Sequence, residues 1–288
     1  MAKQTILVTG ATGKQGGAVA RRLLDNGHKI RAVTRKADSP AAKALAARGA
    51  EIVVGDLTDR DAMLRAAAGT DAVFSMSTPF EAGMGAETQQ GITVADAAKA
   101  AGAFLLYTSV ANADGATGIP HFDSKYAVEQ HIRAEHIDAT IIAPVYFMEN
   151  VNFVQKQMRE GVYPLPLTAN RKLAQVAIAD IAAVAVTVLE NRARYTGKRF
   201  DLGGDEVTGL ETVKILSDVA KRPFNFFQLP MEMVRGAMGE DAALMYEWFE
   251  RVGYTVDRAA LAREFPDVKL TDYETWARGF DWSAFLAS

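Results

Sequence analysis

The stretch Thr5–Gly16 reads Thr-Ile-Leu-Val-Thr-Gly-Ala-Thr-Gly-Lys-Gln-Gly, an apolar β-branched run that passes Gly10, Gly13 and Gly16 into a helix-forming segment. Glycines there permit a sharp turn and close approach of a ligand to the backbone. The amides at the start of the helix, with its dipole behind them, can hold a pyrophosphate. The spacing is Gly-x-x-Gly-x-x-Gly, wider than the Gly-x-Gly-x-x-Gly of many dehydrogenases. Thr12, Lys14 and Gln15 lie between the glycines and count with them as cofactor contacts. Arg35 follows 25 positions after Gly10 in Val33-Thr34-Arg35-Lys36-Ala37, with no acid until Asp38. Sites for NAD commonly carry an acid there for the ribose hydroxyls, whereas a guanidinium can fork onto a 2′-phosphate. The expected cofactor is therefore NADP(H), preferred over NAD(H), with Arg35 and Lys36 as readers. The alternative is that both are solvated loop charges. Asp56 and Leu57 can frame an adenine, or Asp56 can serve only as a signal for the next helix. Ser77, Thr78 and Pro79 are expected beneath the pyrophosphate and the nicotinamide ribose.

The elements that must position these residues alternate. Strands are expected at Thr5–Val8, Ile30–Val33, Glu51–Val54, Ala72–Met76, Phe104–Thr108 and Thr140–Ala143. Helices are expected at about Gln15–Asn26, Pro40–Arg48, Asp59–Ala68, Ala86–Ala101 and Ser124–Glu135. Ser39-Pro40 reads as an N-cap with a first-turn proline, and Gly27, Gly49 and Gly102 stand where helices should stop. Near-continuous apolar strands joined by helices imply a parallel sheet covered on both faces. The fold class is α/β, a doubly wound parallel Rossmann sheet with a smaller mixed C-terminal lobe. Residues 1–150 form the nucleotide domain and residues 151–288 the substrate or partner lobe, partly interleaved with the sheet. In that lobe strands are expected at Gln175–Ile178 and Arg199–Leu202. Its helices are expected from about Asp180 to Asn191, at Leu210–Lys221 and at Met231–Arg251. The lobe is rich in Phe and Met, and it is expected to close over the C-terminal edge of the sheet. The aromatics of Thr271–Ser288 should pack onto the body.

The 288 residues, 49% hydrophobic and 23% charged with a net charge of −3, describe an ordinary globular chain with no basic run for nucleic acid. Zero cysteines exclude thiolate catalysis, disulfides and cysteine-based zinc sites. No leader or bilayer-length apolar stretch is evident, so a cytoplasmic protein without membrane contact is expected. His28, His131 and His136 lack metal-ligand spacing, and no metal is expected. Motifs for phosphoryl transfer, zinc hydrolysis and serine esterase chemistry are missing.

Four segments together resemble the NmrA-like branch of the atypical short-chain dehydrogenase/reductases: Thr9–Gly17, Gly55-Asp56-Leu57, Tyr107-Thr108-Ser109 and His121-Phe122-Asp123-Ser124-Lys125. The likeness runs from Lys3 to about Asn150. Pro144–Asn150 is similar to that branch's nicotinamide-side loop, which adds Tyr146, Phe147 and Asn150 to the cofactor contacts. The resemblance implies that Ser109, Lys125 and the residue four before that lysine surround the nicotinamide. Ordinary members carry a tyrosine at that last position as proton donor; here it is His121. Three readings stay open. His121 can replace the tyrosine as general acid, since an imidazole titrates near neutrality and residues four apart share a helix face. Lys125 can act alone, binding ribose or polarising the substrate. Or neither catalyses, and NADPH is a signal. Tyr107 shares a face with Ser109 but reads as a core aromatic, and Tyr126 points away from Lys125. The expected function is an NADPH-dependent reductase of a small apolar quinone or conjugated carbonyl compound. The alternative is a NADP(H)-sensing regulator of a protein partner, with a segment around Phe80–Gly85 ordering on occupancy. A third reading keeps the nucleotide as a stabilising ligand only. Homodimerisation is left open.

Overall fold

β1 (Thr5–Val8), α1 (Lys14–Asp25), β2 (Lys29–Thr34), α2 (Pro40–Ala47), β3 (Glu51–Val54), α3 (Arg60–Ala67), β4 (Ala72–Ser75), α4 (Gly83–Ala101), β5 (Phe104–Thr108), α5 (Pro120–Ala134) and β6 (Ala139–Pro144) alternate through the first half of a computed structural model. The structure describes residues 3–79 and 83–287, so residues 80–82 of the Phe80–Gly85 segment lie outside the described residues. The second half holds β7 (Tyr146–Phe147), α6 (Gln155–Arg159), β8 (Val162–Leu165), β9 (Lys172–Val176), α7 (Ile178–Glu190), α8 (Arg192–Tyr195), β10 (Arg199–Leu202), β11 (Asp205–Thr208), α9 (Gly209–Ala220) and β12 (Asn225–Gln228). It ends with α10 (Met231–Met238), α11 (Glu240–Arg251), α12 (Arg258–Glu264), α13 (Tyr273–Gly279) and α14 (Trp282–Ala287).

The chain divides into two compact units. The first takes Met1–Ala116, Pro120–Ala143 and Ile181–Asp201, so the chain returns to it after leaving. Its sheet is seven-stranded and all-parallel, in the order β10-β6-β5-β4-β1-β2-β3. Ile6 stands opposite Ile30 on one side and Ala72 on the other, in the middle of the sheet. Every residue of β4, β5 and β6 is buried, as strands covered on both faces must be. One core layer joins Leu7, Val73, Leu105 and Ile141 of the strands to Ala95 and Val128 of the helices. Ser39 caps α2 through the Ala42 amide ahead of Pro40, and Asp59 caps α3 through the Ala62 amide.

Helix α5 corrects the expectation of Ser124–Glu135: it begins at Pro120. Proline has no N–H to lose at a first helical position, so it opens the helix a turn before the apolar periodicity becomes clear. His121 therefore lies in the first turn.

The second unit takes Thr117–Ile119, Pro144–Asp180 and Leu202–Ser288. It holds a three-stranded sheet, β11-β9-β7, and the parallel pair β12-β8. The single helix expected over Met231–Arg251 is two, because Gly239 takes φ 86° and ends α10 before α11 begins. Tyr273, Trp276, Trp282 and Phe285 are buried, with the Phe280 and Trp282 rings 4.6 Å apart. Phe227, Met233 and Met238 are exposed.

Candidate functional site

The turn after β1 is built to expose helix amides. Gly10 takes φ 60°, and its carbonyl accepts from the Gly13 amide at 2.9 Å. Gly13 is the N-cap of α1 and supplies no capping side chain, and a helix start of this kind points its amides toward an anion. A Cβ on Gly16 would lie 2.5 Å from the Gly10 carbonyl oxygen and 2.6 Å from that of Thr9. Only glycine lets the helix sit this close to the strand. The Thr9 hydroxyl donates to the Met76 carbonyl at 2.9 Å and accepts from its amide at 2.8 Å, which ties the ends of β1 and β4. Gln15 is buried, and its amide nitrogen donates to the Thr108 hydroxyl at 2.8 Å, so its side chain braces the turn against β5. Thr12 is half-buried; Gly13 and Lys14 are exposed.

Arg35 and Lys36 are exposed just past β2. Asp56 lies past the neighbouring β3, where Gly55 donates to the Thr34 carbonyl at 3.1 Å. The Asp56 carboxylate accepts from the Thr58 hydroxyl at 2.6 Å and amide at 2.9 Å. These two bonds, and then the positive charge of Arg35, hold its carboxyl below the ordinary aspartate value. Asp56 thus shapes the turn, and Arg35 reaches its neighbourhood. Asp59, not Asp56, caps α3. Leu57 is half-buried and packs against the core layer.

Lys125 sits one turn after His121 on α5. Its Nζ lies 2.8 Å from Glu87 Oε1 and donates to the Ser77 carbonyl at 3.2 Å. Glu87, from α4, is fully buried, and its other oxygen accepts from the Ser124 hydroxyl. Thr78 donates its amide to Gln90 Oε1 at 3.4 Å, and the Pro79 carbonyl accepts from Gly83. The helices approach this closely because position 91 is glycine: a Cβ there would lie 2.5 Å from Val128 Cγ2. The structure thus brings Ser77, Lys125 and His121 to one end of the sheet.

Ser109 is turned elsewhere. Its hydroxyl donates at 2.5 Å to Glu129, a fully buried carboxylate one turn beyond Lys125. Glu129 also accepts from Arg199 Nε and Arg133, each at 2.9 Å, and Arg199 reaches Asp201 at 2.6 Å. Tyr107 is fully buried; burial pushes its phenol pKa up, and the Glu87 and Glu129 charges push the same way. It is a neutral core aromatic.

Tyr146, Phe147 and Asn150 belong to the second unit. There the Tyr146 hydroxyl is hydrogen-bonded to Tyr246 at 3.1 Å and to Asn150, and burial raises its pKa. His28 pairs with Glu190 at 3.0 Å and His131 with Asp96 at 2.7 Å. Among the described residues no helix is long and apolar enough to cross a membrane, and no cluster of three or more His, Asp or Glu could hold a metal.

Sequence reasoning missed Glu87, Glu129 and Arg199. Glu87 lies on the same helical face as Gly91, Val94 and Ala98, so a charged group on an apolar stripe was the available signal. Glu129 sits likewise beside Val128 and Ile132. Arg199 pairs locally with Asp201, but its tie to Glu129 spans 70 positions and has no local mark.

A doubly wound parallel sheet that passes through a glycine turn into its first helix is a Rossmann-like fold. The model of the NmrA-like family matches residues 2–277, and the chain belongs to that family. It is 30% identical over 237 residues to the NAD(P)H azoreductase of Xenophilus azovorans, covering 81% of this chain and 80% of that one. Among solved structures, the NADPH-dependent quinone oxidoreductase of Escherichia coli complexed with NADPH superposes with a TM-score of 0.81 at 24% identity, over 95% and 99% of the two chains. NmrA, a negative transcriptional regulator, in complex with NADP does so with a TM-score of 0.79 at 19% identity, over 98% and 100%.

Proposed function

We propose that the protein binds NADPH and reduces a small apolar acceptor, a quinone or another conjugated carbonyl compound. The observation that carries this reading is the close-packed glycine turn standing at the same end of the sheet as Lys125 and His121. The cradle fits a dinucleotide: a Cβ at Gly16 would collapse it, and Gly13 brings no side chain of its own to the amides a pyrophosphate would take. The first-turn amides of α1 hold the phosphates, and Arg35 meets the 2′-phosphate. Lys125 donates to a ribose hydroxyl beside Ser77. The cofactor, when bound, supplies a hydride. A quinone accepts hydride with little help from a positioned acid, which suits a chain with His121 where a tyrosine is usual. His121 can hand a proton to the reduced oxygen. The similarity to an NAD(P)H azoreductase and to a quinone oxidoreductase supports reductive chemistry.

The test mixes protein with NADPH and a panel of quinones and follows cofactor absorbance. Turnover is expected, with Lys125→Ala raising the KM for NADPH about tenfold or more through the loss of a charged donor. NADPH binding with no oxidation across the panel would overturn it. The second reading is a NADP(H)-responsive regulator in a cytoplasmic setting, with a protein as partner. It is favoured by one observation: the Ser109 hydroxyl is committed to Glu129, so one member of the usual proton-handling set is turned away. A cofactor-dependent change in hydrodynamic size or in captured partners would then accompany binding without turnover.

A further inference from the structure

An ammonium carries three N–H donors. At Lys125 two directions are taken, by Glu87 Oε1 at 2.8 Å and by the Ser77 carbonyl at 3.2 Å. Glu87 has no exposure, and a carboxylate there without a cationic partner would be strongly disfavoured. The pair is anchored from both sides. The Ser124 hydroxyl donates to the second Glu87 oxygen, Thr88 of α4 donates to the Ser124 carbonyl at 3.2 Å, and Gly91 admits Val128 between the two helices. Lys125 itself keeps 14% of its side chain exposed, so it is largely but not fully buried.

We infer that Glu87 is the positioning residue for Lys125: it keeps the ammonium charged and fixes it against the Ser77 carbonyl, so that the third donor faces the bound ligand. This rests on the reading above, in which Lys125 contacts the nicotinamide ribose. Among the described residues, the titratable groups around the ammonium are Glu87 from α4, Tyr107 from β5 adjoining Glu87, and His121 and Glu129 one turn either way on α5; the described part of the loop after β4 offers the Ser77 carbonyl. Among the described residues, Glu87 is the one anion in contact with it. Without it, a largely buried amine keeps only a carbonyl partner, and desolvation drives it toward the neutral form.

The test is an NADPH titration by fluorescence from pH 6 to pH 10 on the full chain. It compares wild type, Glu87→Gln, Glu87→Asp, Lys125→Ala and the double variant Glu87→Gln/Lys125→Ala. Glu87→Gln should weaken binding about tenfold at neutral pH and add a further loss between about pH 8 and pH 10 that wild type lacks. Glu87→Asp keeps the charge and should show the flat wild-type profile at reduced affinity. The double variant should be no worse than Lys125→Ala. A purely structural role would lower melting temperature without adding an alkaline limb. If Lys125→Ala weakens binding while Glu87→Gln matches wild type at every pH, the positioning role is wrong and the function above stands. If Lys125→Ala itself binds NADPH normally, both fall. Should Glu87→Gln not fold, Glu87→Asp and Glu87→Asp/Lys125→Ala decide: an affinity loss from Glu87→Asp that vanishes when Lys125 is already alanine supports the inference, and an equal loss in both backgrounds overturns it.

Discussion

Arg35 and Gly16 separate two kinds of residue at this site, one acting through charge and one through the absence of a side chain. Arg35→Asp should weaken NADPH binding far more than NADH binding, because it removes a fork for the 2′-phosphate and adds repulsion. Calorimetric titration with both cofactors checks this, and equal losses would reject Arg35 as the discriminator. Gly16→Ala should destabilise the fold by about 1–3 kcal/mol or more and abolish cofactor binding, since the new methyl meets two backbone carbonyls that cannot turn aside. Thermal melts with and without NADPH measure both effects. Gly16 was legible from the sequence because glycine spacing before a helix has few other uses. The side-chain partners were not. Nothing local pairs Gln15 with Thr108 or Ser109 with Glu129; the parallel sheet brings those positions together across 93 and 20 residues.

Among the elements, the contact of α4 with α5 places Lys125. Gly91→Val should wedge these helices apart against Val128, lower stability by about 1–3 kcal/mol, and weaken NADPH binding in parallel. A melting curve and a titration on the same sample test the coupling. In the first half of the chain, the starts of α4 and α5 were the boundaries read least well. α5 starts four residues before Ser124, since its opening turn Pro-His-Phe-Asp carries no clear apolar period. In the second unit, Asp272 caps α13 through the Thr275 amide and hydroxyl, which hold its carboxyl below the ordinary value. Such a group adds stability above the unfolded pKa of about 3.9, and the contribution is lost as pH falls through the lower folded value. Asp272→Asn should therefore cost stability at pH 7 and cost progressively less below about pH 4. Denaturant unfolding at the two pH values would show it.

At the level of the whole chain, a ligand held by the first unit stabilises that unit by mass action. NADPH at 100 times its Kd should add about 2.7 kcal/mol to its unfolding free energy. Hydrogen exchange should then slow most in the turn after β1, around Lys125 and at the end of β2. Uniform slowing across both units, or none, would count against the assignment. The α/β class and the first six sheet strands were legible because apolar runs and glycine stops repeat. The short strands β7, β8, β11 and β12 were not, since runs of four residues or fewer carry too little periodicity.

The return of residues 181–201 to the first unit has a further consequence for how the polypeptide matures. During synthesis six of the seven strands of that sheet can emerge and still lack its outer strand β10, and Glu129 then lacks the guanidinium of Arg199. A fragment that stops at residue 150 would leave β6 as a bare edge with a carboxylate sealed behind it. Such a fragment should aggregate or remain loose, whereas one carried past Asp201 should acquire protease resistance. The last strand of the nucleotide sheet is written more than fifty residues after the rest, so nascent chains have to wait for it before they are safe to release.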